Sequence, residues 1–211
     1  MKRPITTAFL LLIVLLTGQP SSAQSTDIVP RILERYAELE TLQARFRQTM
    51  TSTLFEDETE TITGSIFLRG DAYRVLTGSR TVVTDGVTSW IYDALENQVL
   101  IDNRLEDEFS FSVHQFLYDF DERFEVAGTV RDADIWRVAL TPLDPDDYFR
   151  SVELIVRDRD AIITEMRIDD ANEVNLHIRL SEITENPDLP ASTFRFDIPE
   201  GADVVDLRAD Q

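Results

Sequence analysis

The feature that most constrains this chain is an alternation of apolar and polar side chains that recurs, turn after turn, from Leu42 almost to the C-terminus. Its cleanest stretch is Val174, Leu176, Ile178 and Leu180, and a period of two is what a strand with one covered face requires. The same period marks Leu42, Ala44, Phe46, Gln48 and Met50, then Ile62, Gly64, Ile66 and Leu68, then Tyr73 and Val75. Val82-Val83-Thr84 runs into Asp85-Gly86, a dipeptide suited to a tight hairpin, and Trp90 with Tyr92 and Val99 with Ile101 follow. Further strands are predicted at Phe124 to Ala127, Ile135 to Leu140, Val152 to Arg157 and Ile162 to Ile168, with Phe194, Phe196 and Ile198 as the last. On the order of ten or eleven antiparallel strands joined by short turns is an all-β sheet architecture.

Two segments depart from that period. Ile28, Val29, Ile32, Leu33, Tyr36 and Ala37 recur at helical spacing, with Thr26 or Asp27 as a cap and Pro30 tolerated in the first turn. Mid-chain, Val113, Phe116, Leu117 and Phe120 fall at i, i+3, i+4 and i+7 behind Ser112, which predicts a short amphipathic helix. Phe109 and Phe111 precede it, and acidic residues flank it on both sides. A sheet of about ten strands covers its apolar face by curling, and a barrel larger than about eight strands encloses a cavity. The two helical pieces then either plug the mouth of that cavity or complete an ordinary core. Spacing leaves both readings open.

The first 23 residues read as a cleaved signal peptide. Lys2 and Arg3 precede an uncharged run from Ala8 to Leu16, and Ser21-Ser22-Ala23 offers small residues for cleavage. The run is shorter than the roughly 18–20 residues that span a bilayer. Residues 24–211 are then expected to form a single domain with a sizeable core. The chain holds no cysteine, so neither a disulfide nor a lipid-modified N-terminal cysteine is available. Lys2 is its one lysine, which removes Schiff-base chemistry and phosphate-loop lysines. A net charge of −20 argues against nucleic acid and anionic membranes as partners, and fits a heavily solvated surface.

No catalytic constellation stands out. His114 and His177 are the two histidines, and neither has a second at metal-binding spacing. No G-x-S-x-G elbow occurs, and Asp144-Pro145-Asp146-Asp147 lacks the glycine and final glutamate of a calcium loop. An acidic turn is the better reading of that run. The chain is expected to be no enzyme and to need no metal or cofactor.

Four stretches resemble the LolA family of periplasmic lipoprotein carriers. They are Leu42-Gln43-Ala44-Arg45-Phe46-Arg47-Gln48, Gly64-Ser65-Ile66-Phe67-Leu68-Arg69, and Thr84-Asp85-Gly86-Val87-Thr88-Ser89-Trp90-Ile91-Tyr92-Asp93 with Asn97-Gln98-Val99. The fourth is Phe194-Arg195-Phe196-Asp197-Ile198-Pro199-Glu200-Gly201-Ala202-Asp203-Val204. The resemblance implies a mainly β (α+β) fold, an incomplete antiparallel barrel of about eleven strands with short helices as a lid over an apolar cavity. It also implies acylated lipoproteins as cargo, an inner-membrane ABC transporter as the loading partner and an outer-membrane receptor for delivery. The expected lining is Phe46, Ile66, Leu68, Trp90, Tyr92, Leu176, Ile178 and Phe196, and a one-residue slip in strand parity would exchange that set for its neighbours. The expected lid is Phe109, Phe111, Val113, Phe116, Leu117 and Phe120, with Arg69 as the arginine that by analogy latches it. Two departures bear on the latch. Gly70 replaces the family's proline after that arginine, and Ala94-Leu95 replaces the proline after the W-x-Y motif. A buried arginine can equally serve a structural ion pair. The competing class is a periplasmic sensor that binds lipid in a similar open barrel and grips a partner protein. Such sensors carry an additional C-terminal domain, whereas this sequence stops at Gln211.

Overall fold

The structure is a computed structural model that describes residues 28–52, 58–103 and 120–208. Helix α1 (Ile28–Glu38) leads into β1 (Leu42–Ser52), β2 (Glu58–Arg69), β3 (Ala72–Leu76), β4 (Arg80–Thr84), β5 (Thr88–Asp93) and β6 (Gln98–Asn103). A four-residue helix α2 (Phe120–Arg123) precedes β7 (Phe124–Asp132), β8 (Ile135–Pro142), β9 (Phe149–Arg157), β10 (Ile162–Asp170) and β11 (Val174–Glu185). A 3₁₀ turn (Ala191–Phe194) and a short β12 (Asp203–Asp206) complete the order. All twelve strands belong to one sheet, ordered β12-β6-β5-β4-β3-β2-β1-β11-β10-β9-β8-β7. It is open, with β12 and β7 at its edges. Two antiparallel meanders meet at β1, which pairs with β2 on one side and β11 on the other.

Alternation located β1 to β11 correctly, but the C-terminal part differs from the expectation. Phe194, Phe196 and Ile198 form no strand, because Ala191–Phe194 winds into a 3₁₀ turn. The final strand is β12, which runs parallel to β6 and makes twelve strands rather than eleven. The acidic run at Asp144–Asp147 holds a turn. Asp144 accepts the backbone N–H of Asp146 at 2.9 Å, Asp147 accepts that of Phe149 at 3.1 Å, and Arg123 pairs with Asp147 at 2.9 Å. The expected cap at Thr26 or Asp27 lies outside the described residues.

The register sorts side chains onto two faces, since directly opposed residues of an antiparallel pair point the same way. Ile66, Val75, Val82, Ile91 and Leu100 are successive partners across β2 to β6 and share one face. Phe67, Arg74, Val83, Trp90 and Ile101 share the other. Helix α1 covers the first, inner face. Its Ile28, Ile32 and Tyr36 are buried at four-residue spacing in one cluster with Ala44, Ile66, Trp136, Val138, Leu154, Met166 and Ile178. Val29 and Leu33 pack against that cluster as the spacing predicts, while Ala37 is exposed.

Candidate functional site

On the inner face the cover is uneven. Beneath α1 the side chains of β8 to β11 are sealed. Val138, Leu154, Val156 and Met166 have no exposed surface. Toward the other edge, Tyr73, Val75, Val82, Ile91 and Leu100 remain partly exposed, as do Phe46, Met50, Ile62 and Leu176 nearer the middle. Register joins these into a band across seven adjacent strands, β11 to β6. At an interstrand spacing of about 4.8 Å the band is roughly 29 Å wide. Its side chains are apolar or aromatic and keep part of their surface exposed.

Polar groups bound the band at both ends of the strands. Arg80 faces Asp93 at 3.4 Å on one side. The Leu95 backbone N–H, then the Glu96 N–H and Arg80, hold the Asp93 carboxyl below its ordinary value of 3.8 against the opposing effect of burial. At the other end Thr84 and Ser89 stand opposite each other, both buried. The Thr84 hydroxyl donates to the Thr88 carbonyl at 2.9 Å and accepts the Gly86 N–H at 3.1 Å. Gly86 has φ +96°, which the Asp85-Gly86 turn needs and which side chains rarely adopt. Gly64 is required for a different reason. A Cβ there would lie 2.1 Å from the Leu76 carbonyl oxygen and 2.6 Å from the Phe46 ring, so the glycine is the floor on which Phe46 rests.

The expected lining residues separate into three groups. Phe46 and Leu176 lie in the band. Ile66, Leu68 and Ile178 share its face but are buried in the cluster under α1, at 1%, 0% and 1% exposure. Trp90, Tyr92 and Phe196 lie on the opposite face from the band. Trp90 opposes Val83 and Ile101, which places it and Tyr92 on the outer face. Phe196 lies there too, its ring 6.0 Å from that of Tyr92. A second layer explains this. The segment containing Leu189, Phe194 and Phe196 lies on the outer face of β2 to β6, where Val83, Val99 and Ile101 are buried. Arg74 of β3 fastens it by donating to the Thr193 carbonyl at 3.1 Å and the Arg195 carbonyl at 3.3 Å.

Arg69 belongs to the same fastening. It shares the outer face with Phe67, donates to the Leu189 carbonyl, and stacks 5.0 Å above the Phe194 ring. Among the described residues these partners belong to the C-terminal segment, and the expected lid it would latch lies outside them. Beside Arg69 opens a polar cleft of about 420 Å³ lined by Glu40, Thr41, Asn186 and Asp188. The expected lid residues Phe109, Phe111, Val113, Phe116 and Leu117 lie outside the described residues, as does the side chain of Phe120.

Residues missed by sequence reasoning are Tyr73, Val75, Val82, Ile91 and Leu100. Following parity from Ile66 through each hairpin, where every opposed pair joins an odd-numbered and an even-numbered residue, would have found them. His177 is on the outer face, 2.8 Å from Glu165. Burial raises the Glu165 carboxyl, but His177, Arg179 and Arg167 together bring it below 4.5. Among the described residues no group of three or more metal-ligating side chains occurs. His114 lies outside them.

The family model described as outer membrane lipoprotein carrier protein LolA matches residues 37–197. The chain belongs to the LolA family. An outer-membrane lipoprotein carrier protein of Cupriavidus pinatubonensis is 34% identical over 125 residues, a match that covers 57% of each chain. One from Halorhodospira halophila is 27% identical, with 100% of this chain and 99% of the relative covered. Among solved structures, an uncharacterized conserved protein from Thermus thermophilus is similar at a TM-score of 0.56 and 18% identity, covering 85% of this chain and 96% of that one. This LolA-family chain therefore shares its fold with proteins of distant sequence. Among its described residues no helix is long and apolar enough to cross a membrane.

Proposed function

We propose that this chain carries lipoproteins across the periplasm, from the inner to the outer membrane, with their acyl chains laid along the partly exposed inner band. That band carries the reading: an apolar strip left unsealed on a sheet whose other half is closed. Carrier names among full-length relatives support it, as does the leader-like character of residues 1–23. Loading by an inner-membrane ABC transporter and delivery to an outer-membrane receptor complete the reading.

A carrier must also let go. Each buried methylene contributes about 0.8 kcal/mol, so three fully buried long chains would give tens of kcal/mol. That exceeds the practical ceiling on non-covalent affinity, about 18 to 21 kcal/mol. Partial burial against a band that stays open on one side keeps the gain within reach of release.

The test uses the mature chain and a tripalmitoylated lipopeptide. Ile91→Asp places a charge in the middle of the band and is expected to weaken binding at least tenfold, while Val130→Asp on exposed β7 leaves it unchanged. Equal binding by the Ile91 variant and the wild type overturns the reading.

A further inference from the structure

Asp158 sits in the turn between β9 and β10 and collects bonds from three other elements. Its Oδ1 accepts the Trp136 indole N–H of β8 at 2.7 Å and the Arg31 Nη1 of α1 at 3.2 Å. Its Oδ2 accepts the Arg131 Nη2 of β7 at 2.5 Å. The Arg31 Nη2 also donates to the Asp158 backbone carbonyl, and the Asp158 N–H donates to the Asp134 carbonyl at 2.9 Å. Arg131 lies over the Trp136 ring at 5.8 Å, which closes the group around the carboxylate. A carboxylate held by one indole and two guanidinium groups is a rigid, charge-assisted joint.

The rest of α1 is tied down as firmly. The buried Tyr36 hydroxyl accepts the Ile163 N–H at 3.1 Å, and Arg35 pairs with Glu185 at the end of β11. Just past the helix, the Asn186 side-chain oxygen accepts the N–H groups of Glu40 and Thr41 at 2.9 and 3.3 Å. The Thr41 hydroxyl donates to the Pro187 carbonyl at 2.7 Å. Ile28 and Ile32 face the core without exposed surface. Lifting α1 would break these bonds together and wet the sealed half of the sheet.

We infer that Asp158 is a positioning residue that holds α1 as a fixed wall of the acyl-binding hollow, so that α1 stays seated when the hollow fills. This rests on the carrier reading and deepens it. Room for cargo then comes from the open band across β11 to β6, and weakening the joint loosens the wall against which the acyl chains pack.

The experiment is hydrogen exchange of the mature chain, with and without the tripalmitoylated lipopeptide, combined with lipopeptide dissociation rates. In the wild type, exchange across residues 28–38 is expected to change by less than twofold on loading. Asp158→Ala is expected to speed that exchange at least tenfold in the unloaded protein and to quicken dissociation several-fold. Arg31→Met removes only the α1 arm and leaves Trp136 and Arg131 on the carboxylate. It is expected to do the same to a smaller degree, and it serves if the Asp158 variant does not fold. Normal uptake with α1 exchange accelerated tenfold by loading overturns the wall alone. So does an Arg31→Met protein with α1 exchange and dissociation both unchanged. A wild-type chain that takes up no lipopeptide overturns the carrier reading and the wall with it.

Discussion

On either side of β1 the inner face of the sheet is finished in two ways. From β8 to β11 it is closed by α1, and Leu154, Val156 and Met166 have no exposed surface. From β3 to β6 the same face stays partly exposed, and the firm cover lies on the opposite side, where Arg69 and Arg74 hold the C-terminal segment. One half is thus a core with its back to solvent, and the other keeps its back closed and its front open. On the proposed carrier reading, stability and binding fall to different strands of a single sheet. A binding face that contributes little to the core can be left uncovered without unfolding the molecule.

Substitutions break or sharpen that comparison. The largest effect is expected in the sealed half. Leu154→Ala should cost about 2–5 kcal/mol in urea unfolding, as for other fully buried leucines, and leave lipopeptide affinity nearly unchanged. Gly64→Ala, at the junction, should cost about 1–3 kcal/mol because its Cβ collides with the Leu76 carbonyl and the Phe46 ring. It should also weaken lipopeptide binding by tilting Phe46, so it is expected to affect both measurements.

Ile91→Ala in the open half should cost about 1 kcal/mol or less, since the side chain is already partly wet, but should lower affinity several-fold. Equal stability losses for Leu154→Ala and Ile91→Ala would erase the distinction between the halves. Arg69→Leu should cost about 1 kcal/mol and speed hydrogen exchange in residues 189–196, with α1 unaffected. Faster exchange in α1 instead would return Arg69 to the inner face.

Acid should act on the sealed half through Asp158. The Trp136 N–H, followed by Arg31 and Arg131, holds that carboxyl below its ordinary 3.8 in the fold, against the effect of burial. A carboxyl depressed by folding adds stability above its unfolded pKa and loses it as pH falls through the folded one. Protection of α1 amides should therefore persist at pH 5 and decline below about pH 4, and Asp158→Ala should flatten that decline.

Much of this architecture was legible in the sequence because one covered face writes an alternating pattern. Val174 to Leu180 and Leu42 to Met50 show it, and α1 shows its helical counterpart. The pattern falls silent where both faces of a strand carry apolar side chains. Trp90-Ile91-Tyr92 and Val99-Leu100-Ile101 are unbroken apolar runs, so alternation does not say which of their residues share a face with Ile66. Only hairpin parity carried from Ile66 resolves it. The placement of Arg69 was unreadable for a related reason. Its partners are the Leu189 carbonyl and the Phe194 ring, 120 and 125 positions further on, and backbone acceptors leave no mark in sequence. Asp158 was one acid among forty, distinguished only by three donors that converge in space.

Strand β6 finds its outer neighbour in Asp203–Asp206, with Gln98 and Asp203 105 positions apart. During synthesis that edge must wait for residues about a hundred positions further on, because among the described residues no nearer segment pairs with it. A contact so distant in sequence closes late and slowly, and an uncovered strand edge invites pairing with other chains in the meantime. The sheet is thereby kept from completing its edge until residues 203–206 have been made.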